Sequence, residues 1–150
     1  TAAMEKARWG LVDAYKQSAD CQRIMKIPGV GVLIATAALA TMGDPSAFRS
    51  CREFSAYLGL VPKQTGTGGR VKLLGISKRG DVYLRTLFIH GARAVTLLTK
   101  TPSPWVTELK KRRPVCVAVV EMANKLARTV WALVAHQRDY QQDYVSVRPY

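Results

Sequence analysis

Apolar residues along this 150-residue chain recur mostly at spacings of three and four, the period of helices that bury one face. Residues 2–25 carry Met4, Ala7, Leu11, Ala14, Tyr15 and Ile24 in that pattern with no internal proline, which predicts one helix. It ends at Ile27-Pro28-Gly29-Val30-Gly31, because Pro28 cannot continue a helix and disfavours helical backbone at Ile27. The apolar run VLIATAALATM predicts the next helix directly afterwards. Asp44 ahead of Pro45 reads as the N-cap of a short helix, and Ser50 with Glu53 as a capping box for another that carries Phe54, Tyr57 and Leu58 and stops at Gly59. Residues 80–99 predict a helix with Leu84, Leu87, Phe88, Gly91, Val95 and Leu98 on its stripe. Arg85 and Arg93 fall off that stripe and are expected to face a ligand or water.

Pro102 and Pro104 break the pattern, and residues 105–113 predict a short helix ending in Lys110-Lys111-Arg112-Arg113. Those cations complement the helix dipole or meet nucleic acid. The last long helix is expected from Pro114 to about Tyr140, with Cys116, Val120, Ala123, Ala127, Val130 and Val134 at spacings of 4, 3, 4, 3 and 4. Small residues on that seam permit close helix approach, within the domain or between copies, and Trp131 adds a large anchor. Residues 141–150 show no period and are expected to form a loose tail.

One stretch departs from helical periodicity. Residues 59–85, GLVPKQTGTGGRVKLLGISKRGDVYLR, open with a run in which Gly66, Gly68, Gly69 and Pro62 disfavour a helix. A Gly-rich loop is expected there, with Arg70-Val71-Lys72-Leu73 alternating like a short hairpin arm. The fold class is therefore mainly α, with at most a small β-hairpin. The loop-linked helices around Gly29 and Gly31 resemble a helix-hairpin-helix unit, in which backbone N–H groups hold a phosphate without reading bases. A plain tight corner between helices is the other reading.

Charge sharpens the picture. With 23 Lys and Arg against 10 Asp and Glu, the net charge of +13 points to a polyanionic partner, nucleic acid ahead of anionic membrane. No apolar run reaches the roughly 20 residues of a spanning helix, and the opening residues lack a signal-peptide core, so the cytoplasm is expected. Cys21, Cys51 and Cys116 are three and widely spaced, which fits reduced core thiols. The chain starts without methionine and inside a helical pattern, so it is expected to be part of something longer.

The ten acids are scattered, and no motif for a metal-dependent nuclease site occurs. His90, in mid-helix, reads as a packed or capped residue rather than a base. What remains is hydroxyl chemistry: Thr65, Thr67 and Ser77 stand among cations. A hydroxyl can attack a phosphodiester if Arg and Lys stabilise the charged oxygens, though these hydroxyls serve equally well to satisfy a turn.

The run from Ile27 to Val95, with GLVP, GG, GISKRGD, YLR and HGARAV, followed by ANKLARTVWALVA, resembles the C-terminal transposase domain of a bacterial insertion-sequence recombinase family that includes the Piv-type DNA invertases. The resemblance spans about residues 21–140. It implies that residues 1–25 end a linking, coiled-coil-like helix and that residues 26–140 form the domain. It also implies a missing N-terminal RuvC-like domain whose DEDD acids bind magnesium, a serine nucleophile in the loop after GLVP, and no cofactor in this stretch. DNA, a guide RNA encoded by the element and further copies of the protein are the implied partners, with no membrane. Relatives read serine, then serine or threonine, then Gly-Gly, where this chain has Gly66-Thr67-Gly68-Gly69. The nucleophile is accordingly Thr67, or it is lost at Gly66. Gly29, Gly31, Lys63, Arg70, Lys72, Ser77, Lys78, Arg79 and Arg85 are the expected nucleic-acid contacts.

Overall fold

A computed structural model describes residues 2–16, 18–67, 70–76 and 80–141. It is mainly α, with seven helices among these residues: α1 (Ala2–Lys16), α2 (Ala19–Ile24), α3 (Val32–Met42), α4 (Cys51–Tyr57), α5 (Val82–Arg93), α6 (Pro104–Arg112) and α7 (Val115–His136). A 3₁₀ turn at Pro45–Ala47 precedes α4, and a π-helical stretch, Ala94–Leu98, continues α5. Two strands, β1 (Pro62–Thr67) and β2 (Arg70–Ile76), form an antiparallel hairpin between α4 and α5.

The expected single helix over residues 2–25 is two helices. Ser18, in extended backbone, accepts a hydrogen bond from Cys21 N–H at 3.1 Å and starts α2 afresh. Met4 and Trp9 on α1 are exposed, while Cys21 and Ile24 on α2 are fully buried. The cysteines do not share one environment: Cys21 is in the core, Cys51 is half-buried and Cys116 is exposed.

The core is built around α7, which packs against α2, α4, α5 and α6. Its buried positions include Ala118, Val119, Met122, Ala123, Leu126, Ala127, Val130 and Val134, a stripe wider than one seam. The expected seam therefore needs correction at its start, where Cys116 is exposed and Val120 half-buried. Trp131 Nε1–H donates to the Pro45 carbonyl at 3.1 Å and pins the 3₁₀ turn to α7. Ser55, fully buried on α4, donates to Asn124 Oδ1 and fixes the register of α4 on α7. The helix ends at His136, short of the expected Tyr140, because Gln137 adopts φ 51° and Arg138 N–H returns to the Leu133 carbonyl.

Helix α5 follows its predicted stripe through Leu84, Phe88, Gly91 and Val95, but Leu98 is 78% exposed. The π-helical stretch adds a residue to the turn and rotates Leu98 away from the core. His90, expected to be packed or capped, is exposed in the last turn of α5.

The α2–α3 loop and α5 meet backbone to backbone at Gly29 and Gly91. A Cβ on Gly91 would lie 2.2 Å from the Gly29 carbonyl oxygen, and one on Gly29 would lie 2.9 Å from the Gly91 carbonyl oxygen. Gly91→Ala is expected to cost about 1–3 kcal/mol by overpacking, seen as a melting temperature lower by roughly 3–10 °C. Gly31, which has open space around it, is the control, and Gly31→Ala should cost no more than about 1 kcal/mol, the loss of glycine as the N-cap of α3.

Candidate nucleic-acid interface

The hairpin that carries Gly66 and Thr67 is positioned by the facing ends of α4 and α5. Helix α4 closes with a Schellman motif: Gly59, at φ 74°, sends its N–H to Ala56 O at 2.9 Å, and Leu60 N–H reaches Ser55 O at 3.1 Å. This explains the sequence GLVP. Gly59 supplies the left-handed residue, Leu60 is buried behind it, and Pro62 begins the strand.

At the other root of the hairpin Gly80 adopts φ +85°, and a Cβ there would lie 1.7 Å from the Tyr57 carbonyl oxygen. The next residue, Asp81, caps α5 by accepting from Leu84 N–H at 2.9 Å. Arg85, one turn into α5, donates from Nη1 to the Leu58 carbonyl at 3.3 Å. Its guanidinium thereby satisfies a carbonyl at the C-terminus of α4, where the helix dipole also favours a cation. The two chain segments that lead into and out of the hairpin are thus held together at Tyr57–Leu58 and Gly80–Arg85.

Arg85 corrects one expectation. Its side chain does not stand free toward solvent; it is only 8% exposed and belongs to this junction. The periodic pattern missed this because the C-terminus of α4 covers the flank of α5 next to Leu84.

The expected Gly-rich loop is, over most of its length, paired strand. β1 and β2 align Thr65 with Lys72, Gly66 with Val71 and Thr67 with Arg70, with an irregularity between Pro62 and Gln64. Thr67 and Arg70 are therefore opposite one another at the far end of the hairpin, joined in sequence by Gly68 and Gly69, which lie outside the described residues. Lys63, Thr67, Arg70 and Lys72 are described by backbone position alone. Ser77, Lys78 and Arg79 lie outside the described residues. Residues 61–80 contain Lys63, Arg70, Lys72, Lys78 and Arg79 and no acid.

Gly29 and Gly31 differ. Gly29, at φ 91°, is occupied in packing on Gly91 and Val95. Gly31 is exposed, in extended backbone, and leads into α3 with no side-chain cap on the first N–H groups. Gly91, which marks the α3 end of this packing, lies nine residues along α5 from Val82, roughly 14 Å at 1.5 Å per residue. The start of α3 and the root of the hairpin therefore do not converge on one phosphate.

A profile of the transposase IS116/IS110/IS902 family matches residues 21–106. The chain belongs to that family. It is 49% identical over 123 residues to a probable family 20 transposase of Pseudomonas aeruginosa, covering 79% of this chain and 36% of that protein. It is 48% identical over 129 residues to the transposase for insertion sequence element IS1111A of Coxiella burnetii, covering 83% and 35%. The transposase for insertion sequence element IS1328 of Yersinia enterocolitica is 40% identical over 116 residues, 75% of this chain and 35% of that protein. The chain thus spans about a third of the length of these transposases. Among its described residues no helix is long and apolar enough to cross a membrane.

For this transposase-family chain the junction at the hairpin root gives a direct test. Arg85→Met keeps the apolar stem but strips the Leu58 carbonyl of its donor, so thermal unfolding should show a loss of about 1.5–3 kcal/mol. An unchanged melting temperature would mean that Arg85 is not part of the clamp.

Proposed function

We propose that this chain is the DNA-binding C-terminal portion of a transposase or site-specific recombinase, and that its hairpin presents a hydroxyl nucleophile for DNA strand exchange. The observation that carries this reading is the strand register, which sets Thr67 across from Arg70 at the end of an acid-free, cationic hairpin. Family membership over residues 21–106, which include the whole hairpin, supports the same assignment.

In this reading Thr67 Oγ attacks the phosphorus of a phosphodiester. A threonyl phosphate ester forms as the bond to the leaving DNA oxygen breaks, the hydroxyl proton passing to a base and the leaving oxygen taking up a proton. Arg70, Lys72, Lys78 and Arg79 stabilise the charged phosphoryl oxygens, and Lys63 and the start of α3 at Gly31 hold neighbouring stretches of backbone. The extra methyl of threonine makes it a slower nucleophile than serine.

Among the described residues no group of three or more His, Cys, Asp or Glu side chains gathers to hold a metal. The magnesium that the family resemblance implies would then take its ligands from elsewhere in the protein. In this reading its acidic ligands belong to an upstream domain, and a guide RNA and further copies of the protein complete the assembly.

A second reading, a nucleic-acid-binding and oligomerisation module without catalysis, is favoured by Gly66, a residue without a hydroxyl where the family resemblance implies the first serine. A suicide DNA substrate, offered to the complete gene product that carries this chain, separates the two. A covalent protein–DNA adduct mapping to Thr67, abolished in Thr67→Ala and stronger in Thr67→Ser, is the expected result. DNA binding with no adduct, together with an adduct gained only in Gly66→Ser, would establish the non-catalytic module instead.

A further inference from the structure

The end of α6 gathers Lys110, Lys111, Arg112 and Arg113, all exposed, just beyond the last residue of the family match. Like charges this close repel, and two carboxylates relieve them only in part. Lys111 pairs with Glu108 at 3.3 Å and Arg113 with Glu121 at 3.5 Å, both at the surface, where such pairs contribute little. Neither Lys110 nor Arg112 takes part in an ion pair with the described residues. A shallow open groove of about 270 Å³, lined by Pro102, Thr107, Lys110 and Lys111, runs beside the cluster.

The neighbouring helix packs on the start of α6. Lys125 of α7 stands 3.9 Å from the centre of the Trp105 ring, which ties the start of α6 to α7. Partial burial, and then the charge of Arg128, hold the Lys125 ammonium below the usual lysine range. The dipole of a nine-residue helix is met by one or two cations in its last turn, so a run of four exceeds what capping needs.

We propose that this groove and the end of α6 form a second surface for the phosphodiester backbone of duplex DNA, separate from the hairpin, with Lys110 and Arg112 as its two uncommitted cations. The chain would then hold nucleic acid at two places, one at the hairpin and one at α6. This rests on the reading above only in taking nucleic acid as the partner, and it is independent of any hydroxyl chemistry.

The test is fluorescence anisotropy of the 150-residue chain with a labelled DNA duplex and a matched RNA duplex between 50 and 300 mM salt, roughly the range in which such contacts are released. Lys110→Gln/Arg112→Gln should lower the slope of log affinity against log salt by about two and weaken binding roughly ten- to a hundredfold at 100 mM. Its melting temperature should be unchanged, since both side chains are exposed. A loss of slope in the DNA arm supports the surface, and a loss confined to the RNA arm overturns it.

Retention of the full salt slope in that variant, with a loss confined to Lys63→Gln/Lys72→Gln, overturns the second surface and leaves the proposed function intact. Failure of the unaltered chain to bind either duplex overturns both. Sedimentation with phosphatidylserine vesicles in preference to either duplex would assign the cations to a membrane and overturn it as well.

Discussion

The position of the hairpin depends on two backbone segments approaching closer than any side chain allows. Gly80 lies against the Tyr57 carbonyl with no room for a Cβ, and Arg85 reaches the neighbouring Leu58 carbonyl. Carbonyls at a helix C-terminus need donors, and the one on Leu58 finds a guanidinium in place of water. The result is a closed root from which β1 leaves and to which β2 returns. The Gly29–Gly91 contact does the same for the α2–α3 loop further along α5. Helix α5 is thus held at both ends by glycine contacts, while its apolar stripe lies on α7.

The local punctuation of the fold was legible in the sequence. Asp44 accepts from Ser46 N–H at 2.9 Å and Ser50 from Glu53 N–H at 3.3 Å, as their residue types and spacing predict. Even the capping box differs in detail, since Glu53 returns to the Arg49 N–H and not to that of Ser50. Ser18 was the missed counterpart, because apolar residues on either side of it keep a helical period. The π-helical stretch and the Gln137 terminus were missed for a related reason: no residue type marks them, and packing of distant segments decides both.

Tertiary contacts account for the remaining differences. Gly91 fits the stripe of α5 in a periodic reading, but its lack of a side chain answers to Gly29, far away in sequence. Arg85 reads as solvent-facing until α4 is placed over it. In the candidate site, GLVP and the cationic run could be recognised from residue types, whereas the pairing of Gly66 and Thr67 in a strand could not. Glycine and threonine in alternation read as a loop because glycine weakens a strand, and only the partner strand restores the pairing.

That pairing bears on how such a site works. Among the described residues β1 and β2 pair with each other and with no third strand, and a lone hairpin is at best marginally stable in water. Its clamped root, at Tyr57–Leu58 and Gly80–Arg85, therefore matters to its stability. Residues 61–80 hold five cations and no acid, a charge balance that disfavours a compact hairpin until anions screen it. In the proposed function, a bound phosphate backbone stabilises the hairpin as it neutralises this charge. Gly66, paired with Val71 inside β1, lowers the strand's own stability further, since glycine weakens a strand interior.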